Sequence, residues 1–153
     1  FFDNLDKNIS FLITSDVISK SKPVKIEDKL KLLKEASKFL LEYRNQIAHG
    51  KPSLNININK LINFKILNHF IAPEVINQKL YTKHKQKLFM LLLLIIILLP
   101  REQIRKNFLF DINRLIDDFT NNYSNSFMKC IYEITDLPMD FYYRLTLANK
   151  QIW

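Results

Sequence analysis

A single glycine, Gly50, in 153 residues leaves this chain very few places to turn through backbone conformations that other residues avoid. Sandwiches of many short strands and nucleotide folds built on glycine-rich loops both need several such positions, so both are disfavoured. What remains is a backbone that stays right-handed over long stretches, an all-α domain. The chain is 48% hydrophobic with 12 Phe and 6 Tyr, enough to build one buried core at the length of one domain. No repeat or low-complexity linker divides it, so residues 1–153 are read as a single domain.

The periodicity predicts where the helices lie. Leu5, Ile9, Leu12, Ile13 and Val17 give a helix over Asp3 to Ser19, closed by Lys22-Pro23. Ile26, Leu30, Leu33, Ala36, Leu40, Tyr43 and Ile47 advance by threes and fours and predict a second helix from Ile26 to His49. Gly50 is placed to end it as a left-handed residue, and Pro52 prevents its restart. Lys51 to Asn59 reads as a loop, although its Leu-Asn-Ile-Asn-Ile-Asn run alternates like a short extended piece. A weaker helix over Lys60 to Phe70, another beginning near Pro73, and a long apolar one from Thr82 to Leu99 follow. Arg101 to Asn121 is expected to bury Ile104, Phe108, Ile112, Leu115, Ile116 and Phe119 on one face. Beyond a loop over Asn121 to Ser126, short helices over Phe127 to Thr135 and Met139 to Ala148 complete the bundle.

The uninterrupted apolar run from Leu88 to Leu99 falls well short of the ~20 residues of a membrane span, and Lys83, Lys85, Lys87 and Arg101 bound it closely. It is expected to be the most buried helix of the bundle, with no membrane partner. The chain begins Phe1-Phe2-Asp3 without the features of a signal peptide, and is read as part of a longer protein. With Cys130 as its one cysteine it can form neither an internal disulfide nor a cysteine metal cage, which suits a reducing cytoplasm. Cys130 itself is expected to be buried as a small apolar residue.

The net charge of +8 and pI near 9.5 favour a polyanionic partner through phosphate neutralisation and counterion release. Against that background, Arg44-Asn45-Gln46-Ile47-Ala48-His49 stands out at a helix end. Asn45 and His49 share a helical face, and Arg44 lies to one side over the small Ala48. RNA carries its own nucleophile, the 2′-hydroxyl. Cleavage needs a group to move its proton, a cation to stabilise the phosphorane, and a proton for the leaving 5′-oxygen. His49 suits proton transfer near neutral pH, and the Arg44 guanidinium can bond two phosphate oxygens at once. One His and one Arg leave the second proton unassigned, which a two-fold dimer with two motifs around one cleft would supply. Alternatively, the two cationic side chains only complement the negative end of the helix dipole.

The string Tyr43-Arg-Asn-Gln-Ile-Ala-His-Gly50 resembles the Arg-x4-6-His motif of HEPN ribonucleases, helical bundles that pair to form a composite, metal-independent active site. A fuller likeness is to the Abi-like family of bacterial abortive-infection proteins, the group that includes AbiF and AbiD. Phe39-Leu-Leu-Glu-Tyr-Arg-Asn-Gln-Ile-Ala-His-Gly50 looks like its central motif, the run Leu88 to Pro100 like its apolar helix, and Ile134-Thr-Asp-Leu-Pro-Met-Asp-Phe141 like its closing element. The likeness covers Phe39 to the C-terminus, the C-terminal half of the family. It implies a HEPN-like bundle with short extra C-terminal helices, a homodimer, no cofactor or metal, and RNA cleavage that leaves 2′,3′-cyclic phosphates. The implied role is phage defence, checked until infection by a non-coding RNA partner. Two features depart from the family: Lys51-Pro52-Ser53-Leu54 replaces an arginine and an aromatic, and the closing element lacks its glycine and tryptophan.

Catalysis is thus assigned to Arg44, Asn45 and His49. RNA contact is assigned to Lys51, to the cluster of Lys79, Tyr81, Lys83, Lys85 and Lys87, where Tyr81 would stack a base, and to a second patch of Arg101 and Arg105. A binding module that holds a structured RNA without cutting it is the alternative. His69 and His84 lack the spacing of metal ligands and are expected at the surface. Asp117-Asp118 and Asp136/Asp140 read as helix-end and surface acids. Tyr142, Tyr143 and Trp153 are expected to pack in the core.

Overall fold

The computed structural model describes residues 24–123 and 125–152, together with Leu12 and Thr14. Apart from those two, the helix expected over Asp3 to Ser19 lies outside the described residues, as does Trp153. Among the described residues the chain is all-α, with seven helices, one short 3-10 turn and no strand.

Helix α1 spans Ile26–Ala48, with Glu27 and Asp28 at its positive end. It buries Leu32, Leu33, Ala36, Phe39 and Tyr43, a stripe that is rotated towards Phe39 and away from the expected Leu40. The stripe ends at Tyr43. Ile47, expected on the buried face, is 44% exposed, so the last turn of α1 has left the core and faces solvent.

The chain then runs back along α1. A 3-10 turn at Ser53–Asn55 leads into an extended piece in which Ile56 and Ile58 are buried and Asn57 and Asn59 are exposed, as the alternation predicts. Short α2, Phe64–Leu67, replaces the longer helix expected over Lys60 to Phe70. Asn63 caps it by accepting from the Lys65 N–H, and the Asn63 N–H is itself bound by Glu35 of α1. Helix α3, Gln78–His84, begins at an Asn77 cap.

The helix expected from Thr82 to Leu99 is broken. Helix α4 begins only at Leu88 and runs to Leu98, separated from α3 by a turn at Lys85 and Gln86. The Gln86 carbonyl accepts from the Ile58 N–H at 3.0 Å, so the extended piece takes up a carbonyl at the break. Helix α4 is the centre of the core, burying Phe89, Met90, Leu93, Leu94, Ile96 and Ile97. No helix among the described residues is long and apolar enough to cross a membrane.

Helix α5, Glu102–Asn122, is rotated from its expected setting. Arg105 and Leu109 are its buried residues, while Ile104 and Leu115 are exposed. Helix α6, Asn125–Thr135, follows almost directly, which shortens the expected loop. Helix α7, Phe141–Gln151, packs against α4 and α5. Its Arg144 binds Asp140 through two nitrogens and donates to the carbonyls of Glu74 and Val75. Gln151 accepts from the Ala72 N–H. These contacts fasten the last helix to the middle of the chain. Cys130 and Tyr143 are exposed, contrary to the expectation that both are buried; α6 and α7 present them to solvent.

Candidate functional site

The end of α1 is a complete Schellman motif. Gly50 has φ +80°, its N–H donates to the Ile47 carbonyl, and the Lys51 N–H donates to that of Gln46. His49 is the C-cap residue, its N–H bound to the Asn45 carbonyl. The carbonyls of Asn45, Gln46 and Ile47 are thus met by backbone N–H groups, without the side chain of Arg44 or His49. Both side chains are exposed. Arg44 Nη1 donates to Asn45 Oδ1 at 3.0 Å, which draws the guanidinium from its own side of the helix towards the face that Asn45 shares with His49. Arg44, Asn45 and His49 thus lie over the last turn and the C-cap of α1, with a side-chain hydrogen bond between the first two.

Four side chains of α1 hold the returning strap. The Tyr43 hydroxyl donates to the Ser53 carbonyl. Gln46 Nε2 donates to the Asn57 carbonyl at 3.0 Å, and its Oε1 accepts from Lys51 Nζ at 3.3 Å. Glu42 accepts from the N–H groups of Asn59 and Lys60, each at 2.9 Å, and Glu35 takes the Asn63 N–H. Partial burial by itself would raise the Glu42 carboxyl, but those two N–H groups, Gln46 and the charge of Lys60 outweigh it and hold the group below its ordinary range. At the far end of the strap the Tyr81 hydroxyl donates to the Ile62 carbonyl. Lys51 thus stays beside the motif, tethered by Gln46.

Between the strap and α1 lies an open groove of about 340 Å³, lined by Lys38, Leu41, Glu42, Asn45, Asn59 and Lys60. Asn45 belongs to both the groove and the motif. Sequence reasoning did not single out Lys38, Glu42, Gln46, Asn59 or Lys60. The helical spacing of Lys38, Glu42, Asn45 and His49 was a usable signal, since it places all four on one face.

The assigned RNA-contact residues divide. Lys79, Lys83 and Arg101 are exposed, Lys85 and Lys87 are half-buried, and Lys83 Nζ lies 3.5 Å from Asp136. Two assignments are corrected. Tyr81 is buried against Phe64, with ring centroids 4.9 Å apart, and its hydroxyl is used inside the fold, so no face is open for a base. Arg105 is 0% exposed; its guanidinium donates to Asn149 Oδ1 and the Leu99 carbonyl, which joins α5 to α7 and to the end of α4. It is a core group rather than part of a basic patch. His84 also departs from expectation, since it is buried with its ring edge towards Phe89. Burial lowers its pKa, against the opposing pull of Asp136. His69 is exposed and pairs with Asp28 at 2.9 Å.

Among the described residues no group of three or more His, Cys, Asp or Glu side chains could hold a metal ion. Compared with protein-family models, with curated proteins and with solved structures, the chain matches none.

Proposed function

We propose that the chain is a metal-independent endoribonuclease of the HEPN type, acting as an RNA-cleaving toxin in abortive infection. The single observation that carries the reading is the hydrogen bond from exposed Arg44 to Asn45 beside the exposed His49, at a helix end whose Asn45, Gln46 and Ile47 carbonyls are met by backbone. In this reading Arg44 binds the scissile phosphate and His49 moves a proton at the 2′-hydroxyl or the leaving 5′-oxygen. Asn45 positions the guanidinium. Lys51, held by Gln46, adds positive charge beside the phosphate. The exposed lysines Lys79 and Lys83 and the exposed Arg101 extend the electrostatic field that attracts RNA.

A homodimer with two motifs around one cleft completes the pair of proton transfers. Ile47, within the motif, and Leu54, just beyond it, are exposed and supply apolar surface for such pairing. The test is subunit mixing. Wild-type chain is mixed with an excess of purified His49→Ala chain. If one cleft needs both histidines, exchange into mixed dimers lowers cleavage per wild-type chain several-fold, and cleavage per wild-type chain that is unchanged by the excess contradicts a composite site.

A second reading is favoured by one observation: among the described residues nothing hydrogen-bonds the His49 ring, so its imidazole is not oriented as a general base usually is. That reading is an RNA-binding protein that holds a structured non-coding RNA without cutting it.

A further inference from the structure

Lys38, Asn45, Asn59 and Lys60 each bring hydrogen-bond donors to the groove between α1 and the strap. Its one carboxylate, Glu42, has both oxygens occupied by N–H groups of Asn59, Lys60 and Gln46. The Asn45 amide is fixed in orientation, because Arg44 can only donate and therefore takes Oδ1. Among the described residues its Nδ2 has no hydrogen-bond partner, and Asn45 lines the groove. Lys38 stands on the helix wall, and Lys60, whose charge also acts on Glu42, stands on the strap wall. Between them Leu41 exposes 59% of its surface, an apolar contact beside the amides and lysines.

We propose that this groove binds the single-stranded RNA flanking the scissile phosphate, so that the strand runs from His49 along α1 towards Lys38. The inference rests on the nuclease reading above and adds a substrate path to it. Positive groups on both walls, amide donors and one apolar contact are what a phosphodiester backbone with a base or ribose lying on one side requires. Lys38 lies eleven residues before His49, about 16 Å along the helix axis at 1.5 Å per residue, so the contact covers nucleotides beyond those being cleaved. Asn45 joins the two halves: its Oδ1 holds the Arg44 guanidinium and its Nδ2 faces the strand.

The test is fluorescence anisotropy of a labelled single-stranded RNA oligonucleotide with 2′-O-methyl riboses, which lacks the nucleophile and stays uncut, over a range of salt, beside cleavage of total RNA by the same preparations. The proteins are wild type, Lys38→Gln/Lys60→Gln, and Lys150→Gln, which removes a lysine from the separate groove between α5 and α7. For the double variant the inference predicts several-fold weaker binding and a salt dependence shallower by about 1.4 in logarithmic slope, since each phosphate contact on a single strand contributes about 0.7. Lys150→Gln should keep the wild-type slope. A double variant that binds with wild-type affinity and slope overturns the groove while leaving the nuclease reading intact. A folded wild type that neither binds nor cleaves RNA overturns the nuclease reading, and the path with it.

Discussion

Arg44 Nη1 donates to Asn45 Oδ1 at 3.0 Å across adjacent residues of one exposed helix turn. The consequence reaches both side chains. Arg44 is brought round the helix towards the Asn45 and His49 face, and the Asn45 amide gives its oxygen to the guanidinium, which leaves its nitrogen as a donor. One bond thus sets the position of a cation and the polarity of a donor.

Arg44→Lys tests whether that geometry matters beyond charge. A lysine keeps the positive charge but loses the planar fork. Under the nuclease reading it lowers the rate of RNA cleavage by about 10² to 10³-fold, the usual cost of one stabilising donor at a developing oxyanion. Thermal unfolding of the exposed variant should be unchanged, and equal cleavage by Arg44→Lys and wild type would remove Arg44 from the chemistry.

Gly50→Ala should destabilise the fold by about 1 to 2 kcal/mol, because a side chain at φ +80° strains the backbone even though a Cβ there would meet open space. Gly50→Asn should lose less, since asparagine tolerates the left-handed region. Urea denaturation of the three proteins gives the order directly. Any cleavage activity should fall more than stability does, because the strain is adjacent to His49.

The strap depends on Glu42 and Tyr43. Tyr43→Phe removes the hydroxyl that holds the Ser53 carbonyl and should cost about 1 kcal/mol. Glu42→Ala removes the acceptor of two exposed N–H groups, which water then meets, and should cost about 1 kcal/mol. Hydrogen exchange at Asn59 and Lys60 should accelerate in Glu42→Ala while amides in α4 stay protected. The carboxyl is lowered in the folded state, so its contribution is present above the ordinary value of 4.5 and is lost as pH falls through the folded value.

His84 should impose a second pH dependence. Its pKa is lowered on folding, chiefly by burial, so the unfolded chain binds more protons. Stability is therefore full above the ordinary value of 6.5 and declines as pH falls below it towards the folded value. Chemical denaturation at pH 7.5 and at ~5.5 should show this loss in wild type, and His84→Leu should flatten it. A wild type equally stable at both would show that His84 is not held neutral.

Much of the fold was legible because its strongest signals are periodic or unique. The α1 period, the terminating Gly50 and the apolar run of α4 each have one physical reading. The break at Lys85 and Gln86 was not legible, since it involves an Ile58 N–H from a segment distant in sequence. Residue type also misled where burial was decided by tertiary partners. Arg105 looks like a surface cation until Asn149 and the Leu99 carbonyl take its donors, and the Tyr81 ring looks available until its hydroxyl reaches Ile62. For the candidate site, the spacing of Asn45 and His49 placed them on one face correctly. The amide orientation and the groove beside it depend on a strap whose path no local pattern specifies.

The central claim is that this chain cleaves RNA without a metal, through His49. The direct measurement is cleavage of RNA in EDTA by purified wild type beside His49→Ala, with analysis of the 3′ ends. The account predicts 2′,3′-cyclic phosphate ends from wild type and none from the folded variant. Equal cleavage by both, or no cleavage by a folded and dimeric wild type, would contradict it.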